Sequence, residues 1–469
     1  MNISFATQAY QSKSLPLSAQ RMVNIYAESE PPDAKSQIAL FGAPGLTNFA
    51  TCGAGPIRGF RVMGGMLYVV AGPTLYSVTS AGVGTALGGA ISGTGVVSMS
   101  DNGTQIIIVN GAFGYVYSAT SGFQIITSPN FHASSSVTFF DNYFVLAWDG
   151  TNKFFISGTL DGTSYDGLDF ASAEVSSDYV VAVVNQQENL LVFGQTTIET
   201  WYDAGTVNFP FQRIDGGTIE RGCAAALTPV KEDNSVFFLG DDCVFYRLDG
   251  TIPRRISTHA IEDAWQRYTL VSDAFTFSYT FEGHKFIVLT FPTANATWVY
   301  DISTSLWHER DSRDANNNNF GRWRGNCGIS AYNKILIGDA YSGQIGYIDG
   351  TLNTEFGNTM RAEMISPVIN NDRRRIFMSR FELDIEQGVG NTVDPGENPQ
   401  ILLSWSDDGG RIFRAPQLWH GMGRKGAYST RVFWTRLGQA RNRVLKVTIS
   451  DPVRRNIIAA HADLSVGIQ

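Results

Sequence analysis

The sequence predicts an all-β protein, a six- or seven-bladed β-propeller followed by a C-terminal β-sandwich. Three observations carry that prediction. Gly, Asn, Asp, Thr, Val, Phe and Tyr are prominent in a chain of 469 residues with 48 glycines and 12% aromatic residues, a bias that suits strands joined by tight turns. A short apolar run recurs through the middle of the chain at a nearly constant interval. Beyond residue 360 the interval is lost, and fewer, longer alternating segments replace it.

The recurring run reads Leu67-Tyr68-Val69-Val70, Ile106-Ile107-Ile108-Val109 and Tyr143-Phe144-Val145-Leu146, and returns at 190–193, 236–239, 286–289 and 334–337. Successive starts lie roughly 37 to 50 residues apart, the period of four-stranded propeller blades. A second, alternating segment with an aromatic residue follows most runs. Examples are Thr74-Leu75-Tyr76-Ser77-Val78, Thr297-Trp298-Val299-Tyr300-Asp301 and Ile345-Gly346-Tyr347-Ile348-Asp349-Gly350. Alternation is the period-2 signature of a strand, and Asp-Gly endings mark hairpin turns. A sheet of this kind buries both faces only by stacking on neighbours. About seven units therefore predict a propeller over 56–360, and their even spacing argues against a string of unrelated sandwiches.

Two segments lie outside the repeat. Residues 1–55 are punctuated by Pro and Ser around one strand-like core, Arg21-Met22-Val23-Asn24-Ile25-Tyr26. They are expected to form an arm that gives the last blade a closing strand or reaches a neighbouring chain. Residues 361–469 are expected to form a separate β-sandwich, with strands near 375–386, 400–406, 431–437 and 443–450, a typical size for that fold.

Little in the chain points to chemistry. The six histidines, His132, His259, His284, His308, His420 and His461, stand singly, without HExxH or His-Cys spacing, so no metal site is expected. GxSxG and Walker A motifs are missing, and Gly82-Val83-Gly84 has no helix behind it to bind phosphate. No catalytic residue and no cofactor is predicted. Cys52, Cys223, Cys243 and Cys327 are too few for a disulfide framework. Cys223 and Cys243 are close enough in sequence to meet on neighbouring strands, but buried free thiols are the simpler expectation. The first 18 residues lack the basic and apolar regions of a signal peptide. No apolar run approaches the roughly 20 residues of a membrane helix, so neither secretion nor membrane insertion is expected. The Asn-x-Thr matches at Asn102 and Asn295 then carry no meaning.

One motif stands out. Ser406-Asp407-Asp408-Gly409-Gly410-Arg411-Ile412-Phe413 fits the "Asp box" that propeller sialidases repeat blade by blade. Occurring once, and in the sandwich part, it is expected to be a hairpin turn in which Asp408 accepts from backbone N–H groups and Phe413 packs inward. The asparagines at 316–319 are expected at a solvated loop tip.

Charge divides the chain. Residues 361–469 hold 14 Arg and 2 Lys against 11 Asp and Glu, a balance of +5; the remainder holds 19 basic and 32 acidic residues, a balance of −13. Such asymmetry can orient assembly, and Arg pairs with carboxylates in a planar fork that Lys lacks. Arg436, Arg441, Arg443, Arg454 and Arg455, on or beside the last strands, are the candidate assembly residues. Arg373-Arg374-Arg375 and Arg454-Arg455 are expected at charged sheet edges, which discourage aggregation.

The N-terminal Ser14-Leu15-Pro16-Leu17-Ser18-Ala19-Gln20-Arg21-Met22-Val23-Asn24-Ile25-Tyr26-Ala27-Glu28 resembles the opening of the packaged-DNA stabilisation proteins, the tail hub or nozzle family of short-tailed bacteriophages. Gly42-Ala43-Pro44-Gly45-Leu46, Pro56-Ile57-Arg58-Gly59 and Ile449-Ser450-Asp451-Pro452-Val453 are similar to segments of the same proteins. The resemblance implies a structural virion protein of the tail, assembled in the host cytoplasm, and not an enzyme. It implies a homo-oligomeric ring, a hexamer, below the portal and its adaptor protein. The ring would continue the DNA channel, help retain the genome and carry a tail needle or fibre and tailspike proteins. DNA would pass through without sequence-specific binding. The alternative is a propeller glycosidase or carbohydrate-binding tail protein acting on host surface polysaccharide. The enzyme would need carboxylates, or Arg with Tyr, at the propeller's central mouth.

Overall fold

In the computed structural model, which describes residues 2–467 apart from 4, 6, 175, 177, 207, 208, 373 and 416, the recurring apolar runs are second strands of four-stranded antiparallel sheets. Among the described residues there are seven such sheets, or blades, at 57–89, 98–125, 137–172, 180–213, 230–255, 275–309 and 325–349. The seventh has three strands of its own. Its fourth, Gly45–Thr51, comes from the N-terminal segment and runs antiparallel to Gln344–Asp349.

The runs are apolar throughout because both of their faces are covered. In the strand Gln105–Val109, Ile106 and Ile108 pack toward blade one while Ile107 and Val109 pack toward blade three. Side chains on a strand alternate faces, so a doubly covered strand loses the polar half of its pattern. In blade four, Leu190 and Val192 face one neighbour and Leu191 and Phe193 the other. The ring closes where Leu336 and Ile345 of blade seven meet Leu67 and Val69 of blade one, with Ala50 and Cys52 from the closing segment. Each fully buried aliphatic side chain contributes about 1.5–3 kcal/mol, a gain that a lone blade cannot make on both faces.

Five blades turn from first to second strand through two residues at positive φ: Gly64-Gly65, Asp141-Asn142, Asp233-Asn234, Glu282-Gly283 and Tyr332-Asn333. Two-residue turns of this hand match the twist of the paired strands. Tyr332 also spans the seam between the last and first blades. Its hydroxyl donates to the carbonyl oxygen of Val78 (2.7 Å) and accepts from the amide of Leu67 (2.9 Å). A short helix, His259–Trp265, places Ile261 and Trp265 in the core between blades five and six.

The N-terminal segment ties the two parts of the molecule together. Strand Ala19–Val23 pairs with Leu306–Glu309 of blade six on one side and Ala362–Ile365 on the other. The sheet of blade six thus runs on through Asn442–Ile449, Gln400–Ser406 and Leu418–Gly421 as one sheet of the sandwich. At Asn24, fully buried with φ of 55°, the chain turns a corner. The Asn24 amide group donates to Asp311 Oδ1 (2.6 Å) and to the carbonyl oxygen of Arg361 (2.9 Å). Beyond it Ile25–Ser29 and Ile38–Gly42 enter the second sandwich sheet, beside Ile457–Val466, Ile376–Ile385 and Val432–Thr435. The strand-like core at 21–26 is therefore two strands in two sheets. The sandwich is not built from 361–469 alone, because its core takes Met22, Ile25, Ala27 and Leu40 alongside Phe381, Leu383, Leu403 and Val447.

Two expectations follow. A Cβ on Gly343 would stand 2.3 Å from the carbonyl oxygen of Gly53 and 2.4 Å from that of Cys52, just past the closing strand, whereas a Cβ on Gly95 would meet open space. Gly343→Ala should cost about 1–3 kcal/mol by overpacking and Gly95→Ala almost nothing, as read from denaturant midpoints. The second concerns acid. His308, buried against Tyr26 and Phe286, has its pKa pushed down to about 3 by burial first, then by the charges of Arg310 and His284. Unfolded, it titrates near about 6.5. The folded state therefore binds fewer protons, and stability present above that pH is lost as pH falls toward 3. Melting temperature should drop between pH 7 and pH 5, and His308→Gln should flatten that slope; equal slopes would refute the assignment.

Candidate functional site

The first strands of the seven blades surround a central cavity of about 610 Å³. Every blade places at least one polar side chain in its wall, among them Arg61, Asp101, Thr138, Asn185 and Lys231 from the first five blades, with Thr276 and Asn326 from the last two. Arg61 Nε donates to Asp101 Oδ1. Asn185 Oδ1 accepts from Thr138 Oγ1 (3.0 Å) and from Lys231 Nζ (2.8 Å). Burial and the Arg61 charge hold the Lys231 pKa below the usual lysine range. Among the described lining residues Asp101 is the only carboxylate, and it is engaged by Arg61. Most glycosidases need two carboxylates flanking the scissile bond, about 5–10 Å apart. The wall offers no such pair, so the glycosidase alternative finds no support where its residues were expected.

The Asp box is a turn, as its single occurrence suggested. Ser406 Oγ bonds Asp408 and accepts from the amide of Gly410 (3.0 Å), while Asp408 Oδ1 accepts from the amides of Arg411 (2.9 Å) and Ile412 (3.1 Å). These bonds, the Ser406 hydroxyl first, hold the Asp408 carboxyl below the usual carboxylate range. Phe413 packs against Ala19, Ile365 and Val444. The neighbouring acid, Asp407, holds Arg443 in a fork at 2.8 and 3.2 Å and Arg414 at 3.1 Å.

That fork corrects part of the arginine set. Arg443 is 1% exposed and Arg455 is fully buried, so neither reaches a partner's surface. Arg443 also donates to the carbonyl oxygen of Leu437 (2.7 Å). Arg455 donates to the carbonyl oxygen of Met360 (2.9 Å) and to Asn353 Oδ1 (3.1 Å), and burial with the Arg310 charge pushes its pKa down to about 10. Buried guanidinium groups are tolerated where backbone acceptors satisfy them. Arg436, Arg441 and Arg454 are exposed; Arg454 pairs with Glu386 at 3.1 Å. Arg374 and Arg375 are exposed as expected, and Arg373 lies outside the described residues.

Sequence reasoning missed a buried ionic cluster between blades six and seven. Arg310 lies 3.9 Å over the Trp323 ring and 3.5 Å from Glu355, to which Trp323 Nε1 donates (2.7 Å). Arg310 also donates to the carbonyl oxygen of Pro44 (3.0 Å), just before the closing strand. No local spacing links these residues, so no sequence signal marks them. The four cysteines are free thiols, Cys52 and Cys223 buried, Cys243 and Cys327 half-buried. The asparagines at 316–319 are exposed. Among the described residues no group of three or more His, Cys, Asp or Glu side chains converges to hold a metal, and no helix is long and apolar enough to cross a membrane.

A family model described as "Bacteriophage P22 Gp10, beta-propeller" matches residues 1–353, and one described as "Bacteriophage P22 Gp10, beta-sandwich" matches residues 361–465. No curated protein matches. Among solved structures the chain is similar to the computationally designed Ika8 protein, with 13% identity over 74% of this chain and 98% of that one and a TM-score of 0.39. It is also similar to the extracellular domain of a one-component system from B. thetaiotaomicron, with 12% identity over 92% of this chain and 62% of that one and a TM-score of 0.42.

Asp407→Ala should strand the buried Arg443 charge and cost about 2–4 kcal/mol. Arg436→Ala, at an exposed turn, should stay within about 0.5 kcal/mol of the parent. Chemical denaturation of the two variants checks the division between buried and surface arginines.

Proposed function

Because the chain belongs to the bacteriophage P22 Gp10 family, whose members are structural proteins of the phage tail, we propose that it forms a ring of six identical copies in a short tail. It is a structural virion protein and not an enzyme. The ring lies below the portal and its adaptor, continues the DNA channel and helps retain the packaged genome. It carries a needle or fibre and tailspike proteins, and its subunits assemble in the host cytoplasm.

The observation that carries this reading is the order and reach of the family match, 1–353 and then 361–465, which leaves almost no part of the chain outside it. The fold supports it. A sheet continuous from blade six into the sandwich, pinned by the two-pronged bond of Arg21 to Glu309 (2.8 Å for each prong), joins the parts as one body able to bear load. The division into an arm at 1–55, a propeller at 56–360 and a sandwich at 361–469 is proposed as a division of roles. The acidic remainder of the chain repels DNA and lets it slide without sequence-specific contact. Electron microscopy of purified tails with this chain labelled should show a ring beneath the adaptor; label found along a fibre would overturn the proposal.

Arg436, Arg441 and Arg454 are proposed to meet acidic surfaces of neighbouring copies or of the adaptor. Exposed pairs contribute only about 0–1 kcal/mol each, so single changes should do little. Replacing all three by Glu should slow assembly and leave the melting temperature of the subunit unchanged, and added salt should slow the parent in the same way. Unchanged assembly rates of the triple variant at low salt would leave these arginines a solvated surface.

A further inference from the structure

We propose that the central cavity of the propeller binds a small phosphate-type oxyanion, held by Lys231, Arg61 and Asn185. The argument is a count of donors and acceptors around one solvent-open central space. Asn185 spends its carbonyl oxygen on Thr138 and Lys231, so its amide NH2 is left without an acceptor among the described residues. Lys231 has three hydrogens and directs one at Asn185, and it takes part in no ion pair among the described residues. Arg61 spends Nε on Asp101, leaving its two terminal nitrogens free. The one carboxylate in the wall is already used, since Asp101 Oδ1 takes Arg61 and Oδ2 takes the amide of Gly103 at 3.0 Å.

Charge points the same way. Two cations face the cavity with one carboxylate, and that carboxylate lies with Arg61, on the first two blades rather than beside Lys231 on the fifth. Lys231 is exposed to the cavity, and it feels the repulsion of Arg61. An oxyanion between them would accept from both cations and from the Asn185 amide, giving an acceptor to donors that have none to spare among the described residues. Walls of low dielectric focus the field of those charges into the space. The cavity, at about 610 Å³, has room for phosphate with part of its water. Phosphate suits the site because it offers several acceptor oxygens to donors arriving from separate blades. The site is independent of the proposed ring and would be present in the isolated subunit.

The test is isothermal titration calorimetry of the full chain with inorganic phosphate, against sodium chloride at matched ionic strength. Saturable binding of one phosphate per chain is expected. Lys231→Gln should weaken it at least about tenfold, the loss of one charge-assisted hydrogen bond, while Lys231→Arg should keep it within a few fold. Asn185→Asp, which adds a carboxylate beside Lys231 and keeps the acceptor for Thr138, should abolish binding with the fold intact by circular dichroism. An absence of saturable binding, or equal binding by the parent and the Lys231→Gln and Asn185→Asp variants, overturns the proposal.

Discussion

The pairing of Gly45–Thr51 with Gln344–Asp349 is the contact on which the rest of the structure depends. Every second strand of the propeller is apolar on both sides and needs two neighbours. Only a closed ring gives each of the seven blades both. The closing strand sits almost 300 residues from its partner, yet the entropy of closing a loop grows only with the logarithm of its length. A remote closure therefore costs little more than a near one. The same N-terminal segment turns its corner at Asn24 and enters both sheets of the sandwich. One stretch of chain thus holds the ring shut and anchors the domain beside it.

Much of this was legible for a physical reason. Strands covered on both faces stand out as unbroken apolar runs, and all seven runs found in the sequence are second strands. Strands covered on one face stand out by alternation, which is why Ile376–Ile385, Gln400–Ser406 and Asn442–Ile449 lie close to where they were expected. Ile457–Val466 escaped because Ala459, Ala460, His461, Ala462 and Asp463 blur its alternation, although it pairs along the length of Ile376–Ile385. The corner at Asn24 is hidden inside a pattern that reads as one strand. The helix His259–Trp265 is too short to display a period.

Charge was the least legible property. A count of arginines cannot separate those that meet solvent from those that satisfy carbonyl oxygens inside the molecule. Arg58 in blade one is 1% exposed and donates to the carbonyl oxygens of Gly95, Gly72, Ile91 and Ser92. Such acceptors belong to the backbone and leave no mark in a sequence. Arg455 was misjudged on the same ground, and Arg443 because its main partner, Asp407, stands 36 residues away in sequence. The residues of the central cavity were invisible for another reason. Arg61, Asn185 and Lys231 each stand alone on a separate blade, and only the rotation from blade to blade brings them to one space.

The threading of the chain also bears on its synthesis. Gly45–Thr51 leaves the ribosome long before the blade it completes, and Ala19–Val23 before its partner Ala362–Ile365. Asn2–Ile3 pairs with residues 460 and 461. Contacts of such sequence separation make folding slow and leave strand edges unpaired while the chain grows. A nascent chain released early thus lacks both a closed ring and a filled sandwich core. Only a completed polypeptide presents a finished surface to its partners, so the topology itself screens out truncated subunits before a virion can incorporate them.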